Sequence, residues 1–189
     1  YTDEQAATGC TVVLCESGAV GGVDVRGSAP GTLETDMLRP TTLLFEVHGI
    51  MLSGGSVFGL ESAFGAVRYL EEKGSGISFA GAIIPRVAAA VVFDLGLVTG
   101  KVRPGLDEGY RACENAGQGP VAEGSVGAGT GATVAKLLGS ARAVKGGVGT
   151  ASVHLGAGLV VGAIVAVNAV GDVVDPDTGE LVAGPRQGK

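Results

Sequence analysis

The chain has 189 residues, 46% of them hydrophobic but only 4% aromatic, and a formal net charge of −6. That length suits one domain of roughly 100–200 residues, and so large an apolar fraction excludes a disordered chain even with 35 glycines and 7 prolines. No Lys/Arg run supplies the basic face that nucleic-acid binding requires, and the glycines lack the three-residue period of collagen. Burial therefore rests on Val, Ala, Leu and Ile, with glycine allowing close backbone approach.

The three cysteines, Cys10, Cys15 and Cys113, are odd in number and lack metal-knuckle spacing. They read as reduced core residues, which points to a cytoplasmic protein. Within one strand Cys10 and Cys15 would face opposite sides. The opening Tyr1-Thr2-Asp3-Glu4-Gln5 has neither the basic nor the apolar region of a signal peptide. Residues 146–171 carry no formal charge, but Thr150, Ser152, His154 and Asn168 interrupt them, and their Gly/Val density predicts two buried strands rather than a membrane span.

In chain order, Thr11-Val12-Val13-Leu14-Cys15 reads as a buried strand. Residues 19–26 pair with it through a turn at Glu16-Ser17-Gly18. Residues 27–40 form a loop, and Leu43-Leu44-Phe45-Glu46-Val47 a short strand. Leu60, Ala63, Phe64, Ala66, Val67 and Leu70 recur at helical spacing, with Ser56 as the expected N-cap and Gly74 closing the helix. Residues 87–95 read as a strand buried on both faces, residues 106–116 as a helix, and residues 117–131 as a glycine-rich loop that feeds a helix over 132–138. Strands follow at 148–153 and 159–167, then a hairpin over 172–182 turning at Asp175-Pro176-Asp177-Thr178-Gly179. This order predicts an α/β fold in which helices cover a mixed sheet.

Several motifs fail on inspection. Gly127-Ala128-Gly129-Thr130-Gly131-Ala132 fits G-x-G-x-x-A, but no hydrophobic strand precedes it and position 147 is glycine, so it lacks the dinucleotide context. As a tight loop before a helix it could still present backbone N–H groups to an oxyanion. A nucleophile elbow at Ser53–Gly59 would need Gly where Phe58 stands. His48 and His154 are too few for a three-ligand catalytic zinc and read as structural. Asp175, Asp177 and Glu180 are too closely spaced for a calcium loop.

Two polar residues stand out. Lys136 lies among small and apolar residues, and Asn168 ends the longest apolar run. On pattern alone they are either a solvated lysine and a satisfied core amide, or an active-site pair with the amide as an oxyanion donor.

Six segments carry a resemblance: Thr8–Leu14, Val25–Thr32, Leu52–Leu60, Gly127–Ala132, Lys145–Ser152 and Val165–Asp172. Together they resemble the DmpA/BapA-like N-terminal-nucleophile aminopeptidases, in the branch that includes the nylon-oligomer hydrolase NylC. The resemblance implies a four-layer αββα sandwich of the DmpA/ornithine-acetyltransferase type. It implies a precursor that cleaves itself before a Thr or Ser, which becomes the nucleophile of a separate β chain. The present chain would be the α subunit, with residues 1–184 as one domain and 185–189 as a tail leading to the cleavage linker. By the same resemblance Asn168 is the oxyanion-hole asparagine and Lys136 the lysine beside the nucleophile. Phe93 stands where several members have a catalytic-site Tyr and lacks the hydroxyl for that role. Gly129 and Gly131 fall in the substrate and oxyanion environment. The implied activity is hydrolysis of small peptides or related amides, without cofactor or metal, by a homo-oligomer of αβ units that engages neither nucleic acid nor membrane. Acetyl transfer of the ornithine-acetyltransferase type, or a non-catalytic scaffold that kept the fold, are the rival functions.

Overall fold

The computed structural model describes residues 1–187. Gly188 and Lys189 of the expected tail lie outside the described residues. The first strands are β1 (Thr2–Asp3), β2 (Thr8–Val20), β3 (Thr32–Leu33) and β4 (Glu46–Ser53). A 3-10 turn at Ser56–Glu61 leads into α1 (Ser62–Glu72). The hairpin β5 (Ile77–Phe79) and β6 (Ala82–Ile84), strand β7 (Val87–Val91) and α2 (Leu106–Glu114) follow. The last third holds β8 (Thr133–Val134), β9 (Val144–Lys145), β10 (Gly147–Gly156), β11 (Leu159–Val167), β12 (Val173–Val174) and β13 (Leu181–Ala183).

Five strands form one mixed sheet in the order β1-β2-β4-β7-β3. β2 and β4 run antiparallel, with Cys10 opposite Ser53, whereas β4 and β7 run parallel, with Ser53 opposite Val91. A parallel pair needs a crossover, and the segment carrying α1 supplies it. Cys10, Met51, Val87 and Ala89 of the sheet pack against Ala63, Ala66 and Leu70 of α1 and Ala112 and Cys113 of α2. Small side chains let the two helices approach closely. A Cβ at Gly65 would strike the α2 backbone at Tyr110 N, 2.5 Å away, and one at Gly109 would strike the carbonyl of Ser62. Val13 and Ile50, on the opposite face of the sheet, are each 37% exposed.

Four local expectations are corrected. Glu16-Ser17-Gly18 is not a turn, because β2 continues through it and absorbs the irregularity as a register shift between Leu14 and Ala19. Ser56 does not cap α1: its φ is 53°, it opens a 3-10 turn, and no side-chain cap bond forms. Residues 132–138 are not a helix. Thr133 and Val134 are β-branched and pair with Lys145 and Val144. Beyond them the N–H groups of Ala135 and Lys136 donate to Gly171 O and Val170 O instead of to helical carbonyls.

The fourth correction concerns burial. β10 and β11 form the expected pair as a hairpin, and Val148 near its base is buried, but most of its apolar side chains are not. Val153, Leu155, Leu159 and Val165 are all more than half exposed. Apart from one bridge between Val148 and Gly124 the two strands pair only with each other, and among the described residues no second layer covers their outer ends. Among the described residues no helix is long and apolar enough to cross a membrane.

The remaining motifs have local roles. Asp175 Oδ1 accepts the N–H groups of Asp177 and Thr178 and the Thr178 hydroxyl, so the carboxylate builds its own turn and its pKa falls. His48 is buried, and its Nδ1 accepts the Arg86 N–H at 3.3 Å. His154 is exposed on β10. The Ser53 hydroxyl is fully buried under the Gly54–Gly59 backbone and has no partner among the described residues.

Candidate active site

The adjacent parallel strands β4 and β7 end side by side, and the chain turns sharply after each. Val92 N–H donates to Ser53 O at 2.8 Å and Ser56 N–H to Val92 O at 3.1 Å, which ties the two turns together. Phe93 and Asp94 lie just past the end of β7. Ligand sites in open α/β sheets favour such carboxyl ends, because side chains there project beyond the sheet.

β11 delivers Asn168 to this place from the other side. The residue stands one position beyond the strand and is half-buried. Its Oδ1 accepts the Thr133 N–H at 2.9 Å and the Lys136 ammonium at 2.8 Å. Its Nδ2 donates to Phe93 O at 3.0 Å. Two donors on one side and an acceptor on the other permit only one orientation of the amide. Nδ2 has two hydrogens, and the second has no acceptor among the described residues.

Lys136 also donates to Asn168 O at 3.0 Å. Partial burial holds its pKa below the usual lysine value. A cleft of about 460 Å³ opens beside Lys136, lined by Phe93, Leu95, Leu97, Gly131, Lys136 and Arg186 among others, with Asn168 set behind Lys136 and Phe93. Phe93 is 61% exposed and forms part of its apolar wall. Gly131 lines the cleft and must be glycine for lack of room, since a Cβ there would meet Ala7 O and the Asp94 side chain. Gly129 does not line it. That residue is buried against the backbone of Gly124 and of residues 147–148, where a Cβ would also clash.

The glycine loop does not form the expected anion nest. Four of its five N–H groups are already used: Gly127 N donates to Thr2 Oγ1, Ala128 N to Thr11 Oγ1, Gly129 N to Val126 O and Thr130 N to Gly127 O, which leaves Gly131 N–H without a partner among the described residues. Within 127–131 only Gly127 has positive φ, and no helix follows to contribute a dipole. Among the described residues the unused hydrogens at the site are the second one of Asn168 Nδ2 and the Gly131 N–H.

Three residues escaped the sequence reading. Asp94 is buried, with Oδ2 accepting the Thr8 hydroxyl at 2.7 Å and Oδ1 accepting the Gly55 N–H at 2.7 Å. Lys145 donates to Thr130 O, and burial lowers its pKa against the opposing charge of Asp94. The signal for Asp94 was present, because a carboxylate closing the apolar run from Val87 must be satisfied where it stands. Thr8 and Lys145 gave no such signal. Among the described residues no group of three or more His, Cys, Asp or Glu side chains is placed to hold a metal ion.

A Burkholderia sp. beta-aminopeptidase shares the fold with a TM-score of 0.56 at 24% identity, over 86% of this chain and 41% of that one. The pattern of Peptidase family S58 matches residues 1–185, and the chain belongs to that family. It is 48% identical over 180 residues to a Mycobacterium leprae protein described as an uncharacterized aminopeptidase, covering 92% of this chain and 48% of the relative. A Mycobacterium tuberculosis protein described in the same words is 49% identical over 173 residues, with the same coverage. A 6-aminohexanoate-oligomer endohydrolase of Kocuria sp. is 33% identical over 135 residues, 71% of this chain and 35% of that protein. The chain thus spans about half the length of the mycobacterial relatives.

Proposed function

We propose that this chain is the α subunit of a self-processing amide hydrolase whose nucleophile, an N-terminal Thr or Ser, lies on a β chain from the same precursor. Family membership supports the peptidase class, and the half-length match to the mycobacterial relatives supports a second chain of comparable size. The bare apolar faces of β10 and β11 suit burial beneath that chain, as a four-layer αββα sandwich would require. Residues 1–184 would form one domain of the assembled αβ unit. Three free cysteines suit a cytoplasmic location.

In this reading the free α-amine of the nucleophile acts as general base, and the hydroxyl attacks the substrate carbonyl. The tetrahedral oxyanion takes the unused Asn168 amide hydrogen. Lys136 donates to Oδ1, so it polarises the amide and makes Nδ2–H a better donor. Phe93 contributes no hydroxyl. Its carbonyl fixes the Asn168 amide, and its ring walls the cleft. Collapse of the intermediate breaks the C–N bond, the departing amine takes the proton held by the α-amine, and water activated by the same amine then hydrolyses the acyl-enzyme. The relatives named as aminopeptidases and as a 6-aminohexanoate-oligomer endohydrolase support small peptides or related amides as substrates.

The observation that carries the reading is the single allowed orientation of the Asn168 amide, with one hydrogen to spare. Asn168→Ala in the full-length protein should leave the circular dichroism spectrum unchanged and lower turnover by about 10²–10³, the cost of removing one oxyanion donor. A well-folded variant with wild-type turnover would make Asn168 a structural residue.

A further inference from the structure

Asp94 is the one buried carboxylate beside the site, and the proposed chemistry gives it no part. Two backbone segments, Gly54–Gly55 and Gly131, close on it. Gly55 donates its N–H to Oδ1, and neither Gly54 nor Gly131 has room for a Cβ beside Oδ2. The fourth contact is the Thr8 hydroxyl at the start of β2, which donates to Oδ2 from 86 residues away in sequence. Asp94 directly follows Phe93, whose carbonyl accepts from Asn168 Nδ2. The peptide group that carries this carbonyl therefore ends at the Cα of Asp94.

We propose that Asp94 and Thr8 are positioning residues for the oxyanion donor. They clamp the turn after β7 onto Gly55 and hold Phe93 O against one Asn168 amide hydrogen, so that the other is left free for the oxyanion. The inference rests on the reading of Asn168 as that donor. Neither residue touches the reacting atoms. Thr8 acts on Asp94, Asp94 on the Phe93 carbonyl, and that carbonyl on Asn168. A carboxylate suits this place because it accepts from a hydroxyl and an N–H at once. An asparagine would turn one of its donors toward the Thr8 hydroxyl or the Gly55 N–H.

The test follows self-cleavage of the full-length precursor, made by cell-free translation, over time. Thr8→Val is nearly isosteric and should slow cleavage about tenfold, the rate equivalent of one weakened hydrogen bond to a charged group. Thr8→Ser, which keeps the hydroxyl, should cleave within about twofold of wild type, and Asp94→Asn should be at least as slow as Thr8→Val. The decisive arm is the cycle with Asn168→Ala. If Thr8 acts through Asn168, Thr8→Val adds nothing in the Asn168→Ala background. An undiminished tenfold effect in that background would overturn the positioning role while leaving Asn168 as donor. Wild-type cleavage by Asn168→Ala itself would remove the donor reading, and this inference with it. Should Asp94→Asn fail to fold, the Thr8 pair and the cycle decide alone, and equal rates for Thr8→Val and wild type would also overturn the proposal.

Discussion

The Lys136 ammonium stands 2.8 Å from Asn168 Oδ1 and 3.0 Å from the same residue's backbone carbonyl, so one lysine holds both ends of the proposed oxyanion donor. The two residues are 32 positions apart and arrive from unrelated segments. Lys136→Met would keep much of the aliphatic stem and remove both bonds. Turnover should fall by about 10–100-fold, between the effect of one hydrogen bond and that of a full oxyanion donor. Steady-state kinetics on the mature enzyme would measure it, and unchanged kcat would remove Lys136 from the chemistry.

Partial burial also sets a pH dependence. The Lys136 pKa lies below its ordinary 10.5, so the folded enzyme loses this proton at a lower pH than an exposed lysine would. Between the two values the unfolded chain holds the extra proton, and this group's contribution to stability rises with pH there. Activity should do the opposite, falling on the alkaline limb before pH 10.5 as the charge on Asn168 Oδ1 is lost. Lys136→Arg should move that limb upward, because guanidinium stays charged. Identical limbs in both proteins would assign the alkaline loss to another group.

His48 gives an acid-side counterpart. Burial lowers its pKa from 6.5, outweighing the upward pull of Glu46, with Arg86 adding to the lowering. The unfolded chain therefore takes up a proton that the folded chain resists, and stability should fall as pH drops through 6.5. His48→Asn retains an acceptor for the Arg86 N–H without a titrating ring. Thermal melts between pH 7.5 and 5 should show a shallower acid slope for that variant, and equal slopes would place the sensitivity elsewhere.

Gly131 is restricted by space alone, since its φ is ordinary while its Cβ position is filled by Ala7 O and Asp94. Gly131→Ala must push two backbone segments apart, and overpacking of this kind costs about 1–3 kcal/mol. A lowered melting temperature should accompany slower turnover, because the displaced Asp94 adjoins Phe93. A variant as stable as wild type would mean that the cradle is looser than its packing indicates.

The long-range elements were legible wherever one periodicity dominated. The apolar face of α1 and the runs of β10 and β11 lie where their patterns put them, because each is long enough to outweigh local exceptions, whereas the strand expected over 87–95 ends at Val91 where the chain turns toward Phe93 and Asp94. The helix expected over 132–138 failed because small residues do not choose between periods. Long-range bonds to Val170 and Gly171 decided the matter. Val153 and Leu159 read as buried because hydropathy reports what a side chain prefers, not whether a covering layer belongs to the same chain. At the site, Asn168 and Lys136 stood out as polar residues in apolar surroundings. Thr8 did not, since a threonine in a strand is ordinary until its hydroxyl is seen on a carboxylate.

The central claim is that this chain works as one half of a self-cleaved hydrolase, and intact-mass spectrometry of the native full-length protein under denaturing conditions tests it most directly. The account predicts two polypeptides, one containing the segment described here and a second that begins with Thr or Ser. A single uncleaved polypeptide that hydrolyses amides at full rate would contradict it.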